Sequence, residues 1–112
     1  HFQARWSEAQ LESHLEAGRR VDRIRGEAFR KAFEAVRSKQ PVTEFEIAEF
    51  IRERFEEEGL FTDHGPIVAV NANASNPHYE PTREAHAPIQ AGDFLLIDMW
   101  AKLKEPADAV YY

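Results

Sequence analysis

Helical periodicity fills the first half of this chain and breaks off near Gly65, and that break limits the available folds more than any other feature. From about Ser7 to Lys39, Leu11, Leu15, Ile24, Ala28, Ala32 and Val36 recur at near-helical spacing, joined by Val21, Phe29 and Phe33. Ser7 and Gln10 form a capping box at the start of this helix, and Pro41 closes the helical region. Gly18 and Gly26 each weaken it by about 1 kcal/mol relative to alanine, and a helical glycine also marks close packing against a neighbouring element. A second helix is predicted from about Thr43 to Glu58, with Thr43 and Glu46 as a capping box and Gly59 as its stop. Phe45, Ala48, Ile51 and Phe55 share one of its faces, Ile47 and Phe50 lie beside them, and Leu60 and Phe61 are expected to fold back onto it.

Past Gly65 the chain turns rich in Pro, Asn and β-branched residues. Pro66–Val70 reads as a short strand, and Asn71–Pro88 as a long loop with turn chemistry at Asn76-Pro77 and Glu80-Pro81. Loops of that length in small domains are often functional. Phe94–Ala101 reads as a second strand, Lys104–Asp108 as a turn, and Ala109–Tyr112 as a third strand pairing back onto the second. This order predicts an α+β fold, with two amphipathic helices followed by a small antiparallel sheet that they cover on one face.

At 112 residues the chain holds one small domain with a modest core. A hydrophobic share of 43% beside 30% charged residues is a globular composition rather than a disordered one. The net charge of −6 argues against a nucleic-acid partner, and the arginines between Arg19 and Arg37 are interleaved with Glu16, Asp22, Glu27 and Glu34 as a mixed solvated face. The absence of cysteine excludes disulfides and Cys-ligated zinc and fits a reducing compartment, so a cytoplasmic location is expected. No apolar run approaches the length of a membrane span and no signal peptide is visible, so no membrane partner is expected. The chain starts at His1 rather than Met and stops at Tyr112 within a strand-like run, so residues 1–112 are expected to be a single partial domain, truncated at both ends.

Two segments carry candidate chemistry. Asp98 interrupts the apolar run Leu95-Leu96-Ile97-Asp98-Met99-Trp100-Ala101. An unpaired carboxylate in a buried strand is costly, so a buried Asp98 needs a metal or a cation as partner, whereas on an edge strand it would simply face water. His78 lies in the Pro-bracketed segment Pro77-His78-Tyr79-Glu80-Pro81. A lone loop histidine usually has no role, although its near-neutral pKa suits it to proton transfer. Asp93, in Ala91-Gly92-Asp93, reads as a turn residue. Asp63 and His64 adjoin Gly65 with no spacing that marks a site; His1, His14 and His86 show no pattern; Trp6 and Trp100 read as packing residues; Asp108 reads as a turn residue. No phosphate-cradling Gly-rich loop, His-Glu-x-x-His zinc helix or nucleophile elbow is present.

The Pro77–Pro81 segment, followed by Gly92-Asp93-Phe94-Leu95-Leu96-Ile97-Asp98, resembles the creatinase, aminopeptidase P and methionine aminopeptidase family, the metallopeptidases of the pita-bread fold, and is nearest to the Xaa-Pro aminopeptidases. Pro41-Val42-Thr43-Glu44 stands where that family often has a Gly-x-Thr-Glu turn. The resemblance implies an incomplete pita-bread fold, with Asp98 as the first metal-bridging aspartate and His78 as a catalytic, substrate-binding residue that hydrogen-bonds or protonates a group near the metals. It also implies two divalent ions, manganese foremost with cobalt or zinc as alternatives, a metal-activated hydroxide that removes a peptide's first residue, and a homodimer in the complete enzyme. Trp100 departs from the pattern, which has a small Gly two positions after that aspartate. Val110-Tyr111-Tyr112 approaches the family's Tyr-x-Asp-Ile-Thr segment, and the longer Lys104–Asp108 turn keeps Asp108 from aligning with the second aspartate. The later His and two Glu ligands would lie beyond the chain. The alternative is a non-catalytic pita-bread module that binds peptide or protein, and a third reading is a plain α+β interaction domain with Asp98 exposed.

Overall fold

The structure is a computed structural model that describes residues 5–112; His1 lies outside them. Helix α1 (Glu8–Arg37) and helix α2 (Glu44–Glu57) are followed by four short strands, β1 (Leu60–Phe61), β2 (Ile67–Val70), β3 (Leu95–Asp98) and β4 (Lys102–Leu103), with a 3₁₀ turn at Asn71–Ser75. This is the expected α+β order. The predicted sheet is instead two small antiparallel ladders, β1 with β4 and β2 with β3. In the second, Ile67 stands opposite Asp98, and Val70 opposite Leu95.

The capping chemistry explains where the helices begin. Ser7 Oγ accepts from the Gln10 main-chain N–H while the Gln10 side chain accepts from the Ser7 N–H, so the box is closed. On α2 only half of the expected box forms: Thr43 Oγ1 accepts from the Glu46 N–H at 3.1 Å, and the Glu46 carboxylate turns to the Thr43 hydroxyl instead of the cap's backbone. Helix α1 ends before Pro41 is reached. Lys39 adopts the left-handed conformation (φ 58°), and the Lys39 and Gln40 N–H groups return to the carbonyls of Val36 and Ala35, a Schellman closure with lysine where glycine is usual.

The buried stripe of α1 is made of Ala17, Val21, Ile24, Ala28 and Ala32, packed on Ile47, Ala48, Ile51 and Phe55 of α2 and on Leu60, Val68, Val70, Ile97, Met99 and Ala101. Leu11, Leu15, Phe29 and Phe33 do not belong to it; all four are exposed, Phe33 at 62%. At about 100° per residue they lie roughly 120–160° around the helix from Ala17, so the apolar residues of α1 form two rows and only the row of Ala17, Val21, Ile24, Ala28 and Ala32, three of them alanines, meets the core. Small side chains there let α2 and the C-terminal segment approach closely. Gly18 shows this directly, because a Cβ on it would stand 2.7 Å from the Tyr112 ring.

Leu60–Phe61 folds back onto α2 as expected, Leu60 entering the core, and it also pairs with Leu103 and Lys102. Two further expectations are corrected. The predicted strand Phe94–Ala101 is shorter, and the chain leaves it at Met99 to make β4. The return of the chain end is narrower than a third strand: Ala101 and Tyr112 exchange two backbone hydrogen bonds, at 2.8 and 3.4 Å. The segment is otherwise held by α1. Ser13 Oγ accepts from the Val110 N–H, His14 Nδ1 bonds the Tyr111 carbonyl, and the Tyr112 hydroxyl donates to Asp22. Among the described residues no helix is long and apolar enough to cross a membrane.

Candidate metal and substrate site

Asp98 closes β3, and burial alternates through it: Ile97, Met99 and Ala101 face the helices, while Asp98 is exposed and Trp100 half-buried. The sequence predicted a buried strand and therefore a carboxylate in need of a partner. The β2–β3 ladder is packed by the helices on one face, and Asp98 lies on the other, in water. Burial thus gives no argument for a partner, and the expectation that Asp98 ligates a metal rests on the sequence resemblance alone. Among the described residues no hydrogen bond or ion pair takes up its carboxylate, which leaves its oxygens free as hard donors.

Trp100 stands on the same side of the chain two residues later. Its indole N–H donates to Asp63 Oδ1 at 3.0 Å, and the His64 ring meets it edge-on at a centroid distance of 5.3 Å. A Cβ on Gly65 would come within 3.1 Å of the indole, so the glycine makes room for the bulky ring. The indole N–H is the main reason that the Asp63 carboxyl is held below its ordinary range. Asp63 and His64, which had no telling spacing, therefore gather at Trp100 as its mounting.

His78 is exposed on the segment between β2 and β3, its N–H bonded to Asn76 Oδ1 at 3.0 Å. No hydrogen bond joins it to Asp98. The expected long loop is not structureless. It opens with the 3₁₀ turn, and the strand-like contact of Thr43 with Pro88 closes it. Asp93 has the turn role assigned to it: it accepts from Asn71 Nδ2 and from the Gln90 N–H, which together depress its carboxyl's pKa. His86 bonds the Thr82 carbonyl and stacks on Phe45, and Asp108 is exposed in the turn before Ala109.

Sequence reasoning missed the residue that organises this region. Glu44, the first residue of α2, is 0% exposed. Its Oε2 accepts from the Val70 N–H (2.7 Å) and Asn73 Nδ2 (3.2 Å), and its Oε1 accepts from the Ala87 N–H (2.7 Å) and the Tyr79 hydroxyl. Its own N–H donates to the Ala87 carbonyl at 2.9 Å. The positive end of α2 adds favourable field. A signal was available: Glu44 falls in register with Ile47, Ala48, Ile51 and Phe55, and a carboxylate on the apolar stripe of a helix has to meet donors inside.

The described residues include no cluster of three or more His, Cys, Asp or Glu side chains placed to hold a metal. Asp98 fits a hard divalent ion as one oxygen ligand, and one ligand does not make a centre. Residues 16–108 match the family model of metallopeptidase family M24, and the chain belongs to that family. No curated protein matches the chain significantly.

Proposed function

We propose that this chain is the first part of the catalytic domain of a metal-dependent aminopeptidase of Xaa-Pro type, acting on peptides, with Asp98 as a metal ligand and His78 on the substrate side. Membership of the metallopeptidase family supports the general reaction. The observation that carries the site is the free carboxylate of Asp98 on the sheet face opposite the helices, where a substrate and ions have access. Two hard divalent ions, manganese foremost, would supply a polarised peptide carbonyl and a water of lowered pKa. Asp98 would hold them by charge, and His78, on the loop anchored by Glu44, would hydrogen-bond or protonate the peptide at its reacting end.

The Ala101–Tyr112 pair sets where a second ligand would stand. Two mutual backbone bonds are the mark of a hydrogen-bonded antiparallel pair. If the ladder continues, the residue after Tyr112 stands opposite Trp100 and shares the face of Asp98, diagonal to it at about 7–8 Å between Cα atoms. Extending the coding sequence tests this. An Asp at that position, with a later His and two Glu, is the expected result, and apolar residues in their place would overturn the enzyme reading.

A further inference from the structure

We infer that Glu44 and Tyr79 act as a positioning pair for His78: the buried carboxylate holds the Tyr79 hydroxyl and thereby fixes the tip of the loop that presents the histidine. This rests on the reading of His78 as the substrate-side residue.

The loop's own hydrogen bonds are local. Asn76 N–H bonds the Asn73 carbonyl, Tyr79 N–H bonds the Asn76 carbonyl, and Thr82 and Ala85 bond each other. These shape the tip without tying it to the body of the protein. Glu44 supplies the ties at the start of the segment through Val70 and Asn73, at its end through Ala87, and at its tip through Tyr79 alone. The other polar tie at the tip, Arg52 with Glu80 at 3.5 Å, is long and solvated and holds it weakly. His78 is tied through its own N–H to Asn76 Oδ1 on one side and adjoins the pinned Tyr79 on the other, which limits its backbone. Burial and the neighbouring carboxylate both push the Tyr79 phenol above its ordinary pKa, so the hydroxyl stays a donor across the neutral range.

Tyr79→Phe removes one bond and keeps the ring and the other three donors to Glu44, which leaves the fold intact. Two measurements together test the inference. Amide hydrogen exchange on the 112-residue chain should quicken at least tenfold at His78 and Tyr79, as expected for loss of a bond to a charged acceptor, with Ala48 and Ile51 in α2 unchanged. In the complete enzyme, kcat should fall on the order of 10- to 100-fold at unchanged metal content, and the Tyr79→Phe/His78→Ala double variant should be no slower than His78→Ala alone. Unchanged exchange at the tip overturns the inference whatever the activity does. Faster exchange with full kcat, in an enzyme that His78→Ala impairs, overturns the positioning role and leaves the role of His78 standing. A His78→Ala enzyme with full kcat removes the reading beneath it, and the inference falls with it.

Discussion

Glu44→Gln keeps the shape of the side chain and removes its charge, and the structure sets the cost. Two carboxylate oxygens receive four donors, of which the Val70 and Ala87 N–H groups belong to the main chain and cannot turn away. An amide offers one oxygen. With its nitrogen in the place of Oε1, the Tyr79 hydroxyl can rotate to accept, but the Ala87 N–H is orphaned. With its nitrogen in the place of Oε2, Asn73 can flip its amide, but the Val70 N–H is orphaned. One buried main-chain donor is lost either way, at about 1–3 kcal/mol, and the bonds that remain lose their charge assistance. Relief of the carboxylate's desolvation offsets part of this. The expected net loss is about 2 kcal/mol, a large share of the roughly 5–15 kcal/mol that stabilises a domain. Urea unfolding followed by tryptophan fluorescence should show a lower midpoint at an unchanged slope, with Glu46→Gln, two residues on and exposed on the opposite side of α2, within about 0.5 kcal/mol of the parent. Equal stability of Glu44→Gln and the parent would refute the claim that this carboxylate organises the loop.

The two glycines of α1 should respond with opposite signs. Gly26→Ala meets nothing within 4 Å and should stabilise by about 1 kcal/mol, whereas Gly18→Ala drives a Cβ to 2.7 Å from the Tyr112 ring and should destabilise despite the same propensity gain; equal stabilisation in a melting comparison would exclude the close approach. Acid should also weaken the fold. Glu16 and Glu27, held down chiefly by hydrogen bonds from Arg20 and Arg54, and Asp63 and Asp93, held down chiefly by Trp100 and Asn71, all have folded pKa values below their ordinary 4.5 and 3.8. Their contribution is present in full above the ordinary carboxylate range and drains as pH falls through the depressed values, so Tm should be flat above about pH 5 and decline below it, less steeply in Glu27→Gln; a Tm that rises on acidification would contradict this.

The two helices, the cap of α1, the stop of α2 and the strands β2 and β3 were legible because each rests on local chemistry, such as the Ser7–Gln10 box or the stop at Gly59. What escaped depends on which surfaces meet. Periodicity could not separate Leu15 and Phe33 from Val21 and Ile24, since both rows of α1 repeat at helical spacing and only packing chooses between them. Leu60–Phe61 is too short to announce a strand, and its partner Lys102–Leu103 lies far along the chain. The exposure of Asp98 follows from which face of a two-stranded ladder the helices cover, a tertiary fact. Glu44 was visible only as part of a family turn, although its place on the apolar stripe of α2 marked it as a buried acid.

The proposed division of labour between Asp98 and His78 is tested most directly by metal content measured beside kcat in the complete enzyme. Asp98→Asn should empty the site, because a neutral amide is a poor ligand for hard cations, and activity should go with the metal. His78→Ala should keep the full metal complement and lower kcat by about 10²–10⁴-fold, the range for losing a general acid or donor at the reacting group. A His78→Ala enzyme stripped of metal, or an Asp98→Asn enzyme that retains both metal and activity, would contradict the assignment.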